Sequence, residues 1–455
     1  MRTTIYYKLT AAILSSILLF SCDKETFINP VEDIEADDAI ETVSQRRLSA
    51  SNIYLSSEDA ISVVELSKQT LFTKSNFSLI KDVVTLPDEE GVPAVYVVNL
   101  DDGFVLVSGH KTSPPILAEV SKGSFSAESE DDALSFLIGE LTNDVIKHKS
   151  DTLSESLKML WSQYEEKVYP EIIQTRTYST VWDAIGAYMQ MWREDGFNVY
   201  VLNQQPPGLL NSEYEFLCSE ASNYERDGYD YMDYSYITEK VIGTTLQKGP
   251  YLTTSWGREY PYYSSTSGSF NDGTLAVGQL MKYYEYPNSY FWDQMPDYLT
   301  NTPNSHISYL LSSIESSLSS LQSSGQTKPN SIKNYLYTNY YSSISSHNTS
   351  SALSSINNRY PFIMTGENSS GSTFAWCCDG YKKIDYHDEY TVWVIADSAY
   401  PDFDYEVAGS LYKEAHTVYY YHINWGDNGS NDGWFSLSGI DYSSNIKDII
   451  VNGHR

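Results

Sequence analysis

Thr417-Val418-Tyr419-Tyr420-Tyr421-His422-Ile423-Asn424-Trp425 sets aromatic and β-branched residues against polar ones along one extended run. Successive side chains of a strand point to opposite faces, so such a run buries one face and wets the other, and the last hundred or so residues read as antiparallel sheet. Upstream the period changes. Ile307, Leu310, Leu311, Ile314, Leu318 and Leu321 recur at helical spacing through a serine-rich tract at 311–324, which predicts an amphipathic helix with a serine face. A second serine-rich tract covers 342–355. Nearer the N-terminus, Ala94-Val95-Tyr96-Val97-Val98-Asn99-Leu100 and Phe104-Val105-Leu106-Val107-Ser108 flank Asp101-Asp102-Gly103, two β-rich runs around an Asp-Gly turn and hence a hairpin. Ser57 is placed to cap a helix beginning at Glu58, with Ala60, Val63, Val64 and Leu71 near helical spacing. Pro114-Pro115-Ile116-Leu117-Ala118 follows the hairpin, and the first compact unit closes near Phe125.

The 455 residues suffice for two or three domains of ~100–200 residues each. At 41% hydrophobic and 20% charged, the chain can bury real cores, which excludes wholesale disorder. Its 29 Lys+Arg against 60 Asp+Glu leave a net charge of −31, a surface that repels nucleic acid and anionic lipid headgroups. Lys147, His148 and Lys149 form too short a basic run for a nucleic-acid patch. Forty tyrosines and nine tryptophans suit a β-rich exported protein. Four cysteines, Cys22, Cys218, Cys377 and Cys378, are too few for a disulfide framework.

Arg2 and Lys8 flank the start, and the apolar run Ala11 to Phe20 falls short of the ~20 residues of a spanning helix, so residues 1–21 read as a signal peptide. The run ends Leu19-Phe20-Ser21-Cys22, which resembles the lipobox of bacterial lipoproteins. That resemblance implies lipidation at Cys22 and a lipid-anchored place in the cell envelope, at the outer membrane or cell surface. Residues 22–45, with Glu32-Asp33-Ile34-Glu35-Ala36-Asp37-Asp38, then read as an acidic, solvated tether. Residues 46–130 make the first folded unit and 131–247 a connector of uncertain fold. The connector holds an amphipathic stretch around Leu153–Tyr164, a Trp182–Trp192 segment, and a Tyr/Asp/Glu-rich part through Tyr236. Residues 248–455 form the last domain.

Within that last domain, four stretches resemble, in order and approximate spacing, the streptopain family of papain-like bacterial cysteine peptidases. Gly249-Pro250-Tyr251-Leu252-Thr253-Thr254-Ser255-Trp256-Gly257 resembles the start of the mature peptidase, and Ala276 to Pro287 its central helix. Ala375-Trp376-Cys377-Cys378-Asp379-Gly380-Tyr381 resembles the strand carrying the catalytic histidine, with a turn at Asp379-Gly380-Tyr381. His422-Ile423-Asn424-Trp425-Gly426, then Gly433-Trp434-Phe435, resembles the Asn-Trp strand and its turn. The hairpin Tyr96–Ser108 with Pro115-Ile116-Leu117-Ala118 resembles the family's inhibitory pro-domain. The resemblance covers roughly 46–125 and 248–455 and implies a domain of a helical layer and an antiparallel sheet behind a small α+β pro-domain.

Such a peptidase needs a thiolate, an imidazole and oxyanion donors. The family's cysteine precedes the helix glutamine by seven positions; counting back from Gln279 lands on Asp272, and no cysteine lies between Cys218 and Cys377. A carboxylate there reads as a helix N-cap. The histidine position is Phe374, which would fill the groove with apolar surface; the nearest histidine in sequence, His387, is off the strand position. The oxyanion glutamine position is Arg258, whose longer charged fork does not sit where an amide did. Asn424 and Trp425 remain, with no histidine left to orient. Arg258 and Asp272 are expected to form an ion pair across the old cleft.

Cys377 and Cys378, as strand neighbours, point to opposite faces and read as packing residues, while Cys218 in the connector reads as a lone thiol or a packing residue. Asp427-Asn428-Gly429-Ser430-Asn431-Asp432-Gly433 lacks the bidentate glutamate of a calcium loop, and His387-Asp388-Glu389 lacks a second histidine at zinc spacing and reads as solvated loop, so no metal or cofactor is expected. The sequence thus describes a catalytically inactive streptopain-like homologue acting by binding of peptide or a protease. The alternatives are an active cysteine endopeptidase of that family and a structural or adhesive surface lipoprotein.

Overall fold

In the computed structural model, β2 (Pro93–Leu100) and β3 (Phe104–Ser108) form the hairpin around the Asp-Gly turn, with Val95 opposite Ser108 and Asn99 opposite Phe104. Gly103 sits at φ 84°, and a Cβ there would lie 2.1 Å from the Val120 carbonyl oxygen, so both the turn and the neighbouring chain require glycine. β1 (Ile80–Pro87) and β4 (Ile116–Val120) flank the hairpin, all antiparallel. The structure describes residues 46–67, 79–126, 133–167, 180–224, 232, 235–321, 328–397, 404–437 and 445–455. The expected signal peptide, Cys22, the acidic tether and Leu71 lie outside them.

β2 is buried along nearly its whole length because both its faces are covered. Val95 and Val97 join the core under α2 (Ala133–His148), while Tyr96 and Val98 join the core under α1 (Ser57–Ser67) and α3 (Glu155–Ser162). Two-sided burial explains an unbroken apolar run where alternation would mark a one-sided sheet. Leu134, Leu137, Ile138, Leu141 and Val145 make the buried stripe of α2. Each fully buried side chain of this kind contributes ~1.5–3 kcal/mol. α1 is capped by Ser56 rather than Ser57: the Ser56 hydroxyl accepts from the Asp59 amide at 3.2 Å, and the Asp59 carboxylate accepts from the Ser56 amide at 2.9 Å. This reciprocal arrangement needs the carboxylate three residues on, which Ser56 has.

The free edge of β4 pairs with β11 (Gly433–Phe435), and through it the sheet continues to β10 (Asp404–Asn424), β9 (Thr373–Asp397), β8 (Phe362–Glu367), β12 (Ile446–His454) and β7 (Tyr340–Ser346). The N-terminal hairpin and the strand at 417–424 are therefore parts of one sheet, and Gln45–Arg455 is one compact unit. α6 (Asp272–Tyr284), α7 (Ser305–Ser320) and α8 (Pro329–Tyr337) cover one face, α9 (Thr349–Asn357) and α2 the other. α7 is the predicted serine-faced helix; Ile307, Leu310, Leu311, Ile314 and Leu318 are buried, while Leu321 lies just past its end and is exposed.

Two expected loops are strand. Asp379-Gly380-Tyr381 stays within β9, with Gly380 opposite His422 and a register shift at Asp379. Glycine is needed there because a Cβ would lie 2.8 Å from the Lys248 carbonyl oxygen of the crossing chain, not because the backbone turns. His387-Asp388-Glu389 also lies in β9, paired on both sides with β6 (Tyr236–Lys248) and β10. Buried Tyr390 and largely covered Tyr386 hold that stretch in the sheet. The connector resolves into parts with different jobs. α2 and α3 pack on the N-terminal strands, whereas β5 (Asn198–Val201), α4 (Thr180–Glu194), α5 (Asn211–Ser222) and β6 build two further cores on the outer half of the β9–β10 hairpin.

Candidate functional site

α6 begins where a loop from β6 delivers Trp256, Gly257 and Arg258. Its N-cap is Asn271, not Asp272: the Asn271 side chain accepts from the Thr274 amide at 3.0 Å and donates to Glu315 on α7 at 2.6 Å. Asp272 is the first helical residue, where the exposed amides of the helix end favour a carboxylate. Arg258 Nη1 donates to Asp272 Oδ1 at 2.6 Å. The expected ion pair is present, and it occupies the helix end.

Asn424 closes β10 with every side-chain atom engaged. Its amide nitrogen donates to the Thr254 carbonyl at 2.8 Å; its oxygen accepts from Gln279 at 2.9 Å and from the Gly426 amide at 3.0 Å. Gln279, fully buried, also accepts from the Trp256 amide at 3.3 Å. These two amides clamp strand, helix and incoming loop together, and both lone pairs of the Asn424 oxygen are taken, leaving it no acceptor for an imidazole N–H. Trp425 donates from Nε1 to the Asn431 carbonyl at 2.9 Å and from its backbone to Asp432 at 2.9 Å, with its ring 5.3 Å from Trp376.

Phe374 is placed elsewhere. Along β9, Ala375 and Cys377 face α6, the Cys377 thiol lying 3.3 Å from the Ala276 carbonyl, whereas Phe374, Trp376 and Cys378 face α2. Phe374 stacks on Phe136 of α2 at 5.3 Å, and Phe136 in turn lies where a Cβ on Gly366 would be. A cleft of roughly 470 Å³ opens beside this stack between α2 and the 368–374 turn. The five positions thus fall into three groups: Arg258 with Asp272, Asn424 with Trp425, and Phe374 with α2.

Burial pushes the Cys377 and Cys378 thiols well up, and that of Cys218 up as well, the opposite of what a thiolate nucleophile needs. Among the described residues no cluster of three His, Cys, Asp or Glu side chains is arranged to hold a metal, and no helix is long and apolar enough to cross a membrane.

The pairing of β9 with β10 assembles one further polar cluster. His422 Nδ1 lies 2.7 Å from Asp379 Oδ1, while Asp379 Oδ2 accepts from the Leu252 amide at 2.8 Å. Burial on its own would lower the imidazole pKa, but the Asp379 carboxylate outweighs it and holds it up. Burial raises the nearby Asp432 carboxyl to about 7, against the lowering effect of the Trp425 amide. Nothing in the spacing of Asp379, His422 and Asp432 signals this; only the register of β9 against β10 brings the first two together.

Residues 50–145 match the family model of the Spi protease inhibitor, so an inhibitor-type pro-domain precedes the remaining α+β domain. The match runs past residue 130 and takes in most of α2. Among solved structures, a mutant fragment of prointerpain A from Prevotella intermedia is similar, at 13% identity over 81% of this chain and 97% of that chain, with a TM-score of 0.38. No curated protein sequence matches the chain.

Proposed function

We propose that this chain is a streptopain-like peptidase precursor without working chemistry, held at the cell envelope by lipid on Cys22 and acting by binding peptide or protein. The observation that carries the reading is the Arg258–Asp272 pair, at 2.6 Å, on the helix end where the resemblance places a thiol. An aspartate attacking an amide would have to form an anhydride, a poor intermediate, and a carboxylate held by a guanidinium is a weaker nucleophile still.

The pro-domain of such a protein stays attached. Its β4 shares a seam with β11, where Ser436 donates to the Leu117 carbonyl at 2.7 Å and Asn431 to the Lys122 carbonyl at 2.8 Å. The buried pair of Lys382 with Glu119 at 2.7 Å crosses the same seam. The test is incubation of the purified protein with fluorogenic casein and with itself. No turnover and one intact band are expected; turnover or self-cleavage blocked by a thiol reagent would make it an active cysteine peptidase instead.

A further inference from the structure

We propose that the outer edge of β7 takes up an extended acidic peptide segment by strand addition, a surface separate from the cleft and independent of whether the chain has peptidase activity. β7 is the last strand of the sheet, paired with β12 alone. The register is regular from Ser346 opposite Lys447 to Ser342 opposite Val451, and the His347 amide donates to the Ile446 carbonyl at 3.0 Å. Hydrogen-bonding direction alternates along an antiparallel strand, so Ser345 and Ser343 also turn their backbone groups to β12, and Ser342, Ile344 and Ser346 turn theirs outward. No described residue pairs with those outward groups.

Edge strands are commonly guarded by bulges, proline or charge. The edge Tyr341-Ser342-Ser343-Ile344-Ser345-Ser346 has no charged residue and no proline, and the one register shift against β12 falls opposite Tyr341, leaving Ser342 to Ser346 regular. β10, by contrast, carries register shifts along its length. The chemistry beside the β7 edge sets the partner. Arg455 lies 3.8 Å over the Tyr337 ring and 5.4 Å over the exposed Tyr341 ring, and Lys333 lies 4.8 Å over Tyr337. Neither cation forms an ion pair among the described residues. In a chain of net charge −31, two cations without an ion-pair partner among the described residues, both beside the Tyr341 end of an open edge, favour an acidic strand, and the same net charge opposes a second copy. Backbone bonds then supply affinity and the flanking cations supply charge selectivity.

The experiment uses the full chain and a fluorescein-labelled peptide of alternating glutamate and valine, with a lysine–valine peptide as control, read by anisotropy at low and moderate salt. Saturable binding of the acidic peptide alone, weakened by salt, is expected. Ile344→Pro removes the central outward amide, at an edge position that tolerates proline, and should weaken binding at least ~10-fold. Lys333→Glu with Arg455→Glu, which leaves the strand intact, should do the same for the acidic peptide. The proposal is overturned by equal binding of both peptides, by folded variants that bind like wild type, by no binding at millimolar peptide, or by sedimentation showing a dimer that Ile344→Pro dissolves.

Discussion

Arg258 and Asp272 are joined by a 2.6 Å hydrogen-bonded ion pair at the first turn of α6. The guanidinium is about one-third exposed and the carboxylate mostly covered, so solvent screens part of the attraction. Asp272→Ala is expected to cost about 1 kcal/mol, shared between the pair and the loss of negative charge at the helix end. A double-mutant cycle with Arg258→Ala, read by urea unfolding, should give a coupling below about 1 kcal/mol. A far larger coupling would mean the pair is better shielded than its exposure indicates.

Lys382 and Glu119 behave differently because both are buried and lie on opposite sides of the seam between β4 and the main sheet. Lys382 also lies 5.0 Å over the Tyr420 ring, while the second Glu119 oxygen, Oε1, is buried without a donor among the described residues. Lys382→Met strands a buried carboxylate and should destabilise by ~3–5 kcal/mol, whereas Lys382→Met with Glu119→Leu should recover most of that loss. Limited proteolysis of the single variant should release the N-terminal unit first. Equal stability of the single and double variants would contradict this account.

What the sequence discloses and what it hides follow from the range of the signals. The hairpin at 94–108 and α7 are legible because turn chemistry and helical period are local, and the period survives a serine-rich composition. Asn271 and Asp272 are both good capping residues, and only the backbone angles decide that Asn271 caps. Gly380 looks like a turn but serves a chain crossing from Lys248, far away in sequence. Phe374 cannot announce that it stacks on Phe136, because no local pattern links a strand residue to a helix from the other end of the chain. The outer halves of β9 and β10 escape a clean reading because tyrosines cover both their faces, which blurs the period-two signal.

Lipidation at Cys22 rests on the Leu19-Phe20-Ser21-Cys22 end of a short apolar run. Replacing Cys22 by Ala should release the protein from membranes and abolish labelling with a fatty-acid probe. Membrane attachment that persists in the Ala variant would remove the anchor from the proposal.

Stability should fall as pH rises from 6 to 8. His422 is held above its ordinary 6.5 by Asp379, so its contribution is complete below 6.5 and is lost as pH climbs through the folded-state value. Asp432, raised to about 7 from 3.8, is favoured neutral in the fold, so ionisation costs stability progressively up to about pH 7. From Asp432 alone the loss between pH 6 and 8 is about 1 kcal/mol. Asp388, raised to about 7 mainly by burial, acts in the same direction. His110 and His416 are lowered by burial and act oppositely, but only below about 6.5. Urea unfolding at the two pH values, repeated on Asp432→Asn, should show a shallower pH slope in the variant. A slope that Asp432→Asn leaves unchanged would assign the effect to other groups.

On the proposed reading, refilling the positions that match the streptopain pattern should not give catalysis. Asp272→Cys puts a thiol at a helix end beside Arg258, where both the dipole and the guanidinium favour thiolate, but Phe374 supplies no proton transfer. Phe374→His supplies an imidazole that faces α2 and Phe136, on the opposite side of β9 from Ala375 and Cys377, which pack on α6. Asn424, the residue that would orient it, has its amide committed to Thr254 and its oxygen to Gln279 and Gly426. Groups that act as a unit are strongly non-additive, so each single variant should stay at background on a fluorogenic peptide. Arg258→Gln, Asp272→Cys and Phe374→His together should also stay within about 10-fold of background, since a displacement of ~1 Å already costs ~100-fold and the imidazole is misplaced by a whole strand face. Robust turnover by the triple variant would show that α2 leaves the sheet and lets residue 374 swing round, and it would reassign α2 from a permanent clamp to a movable one.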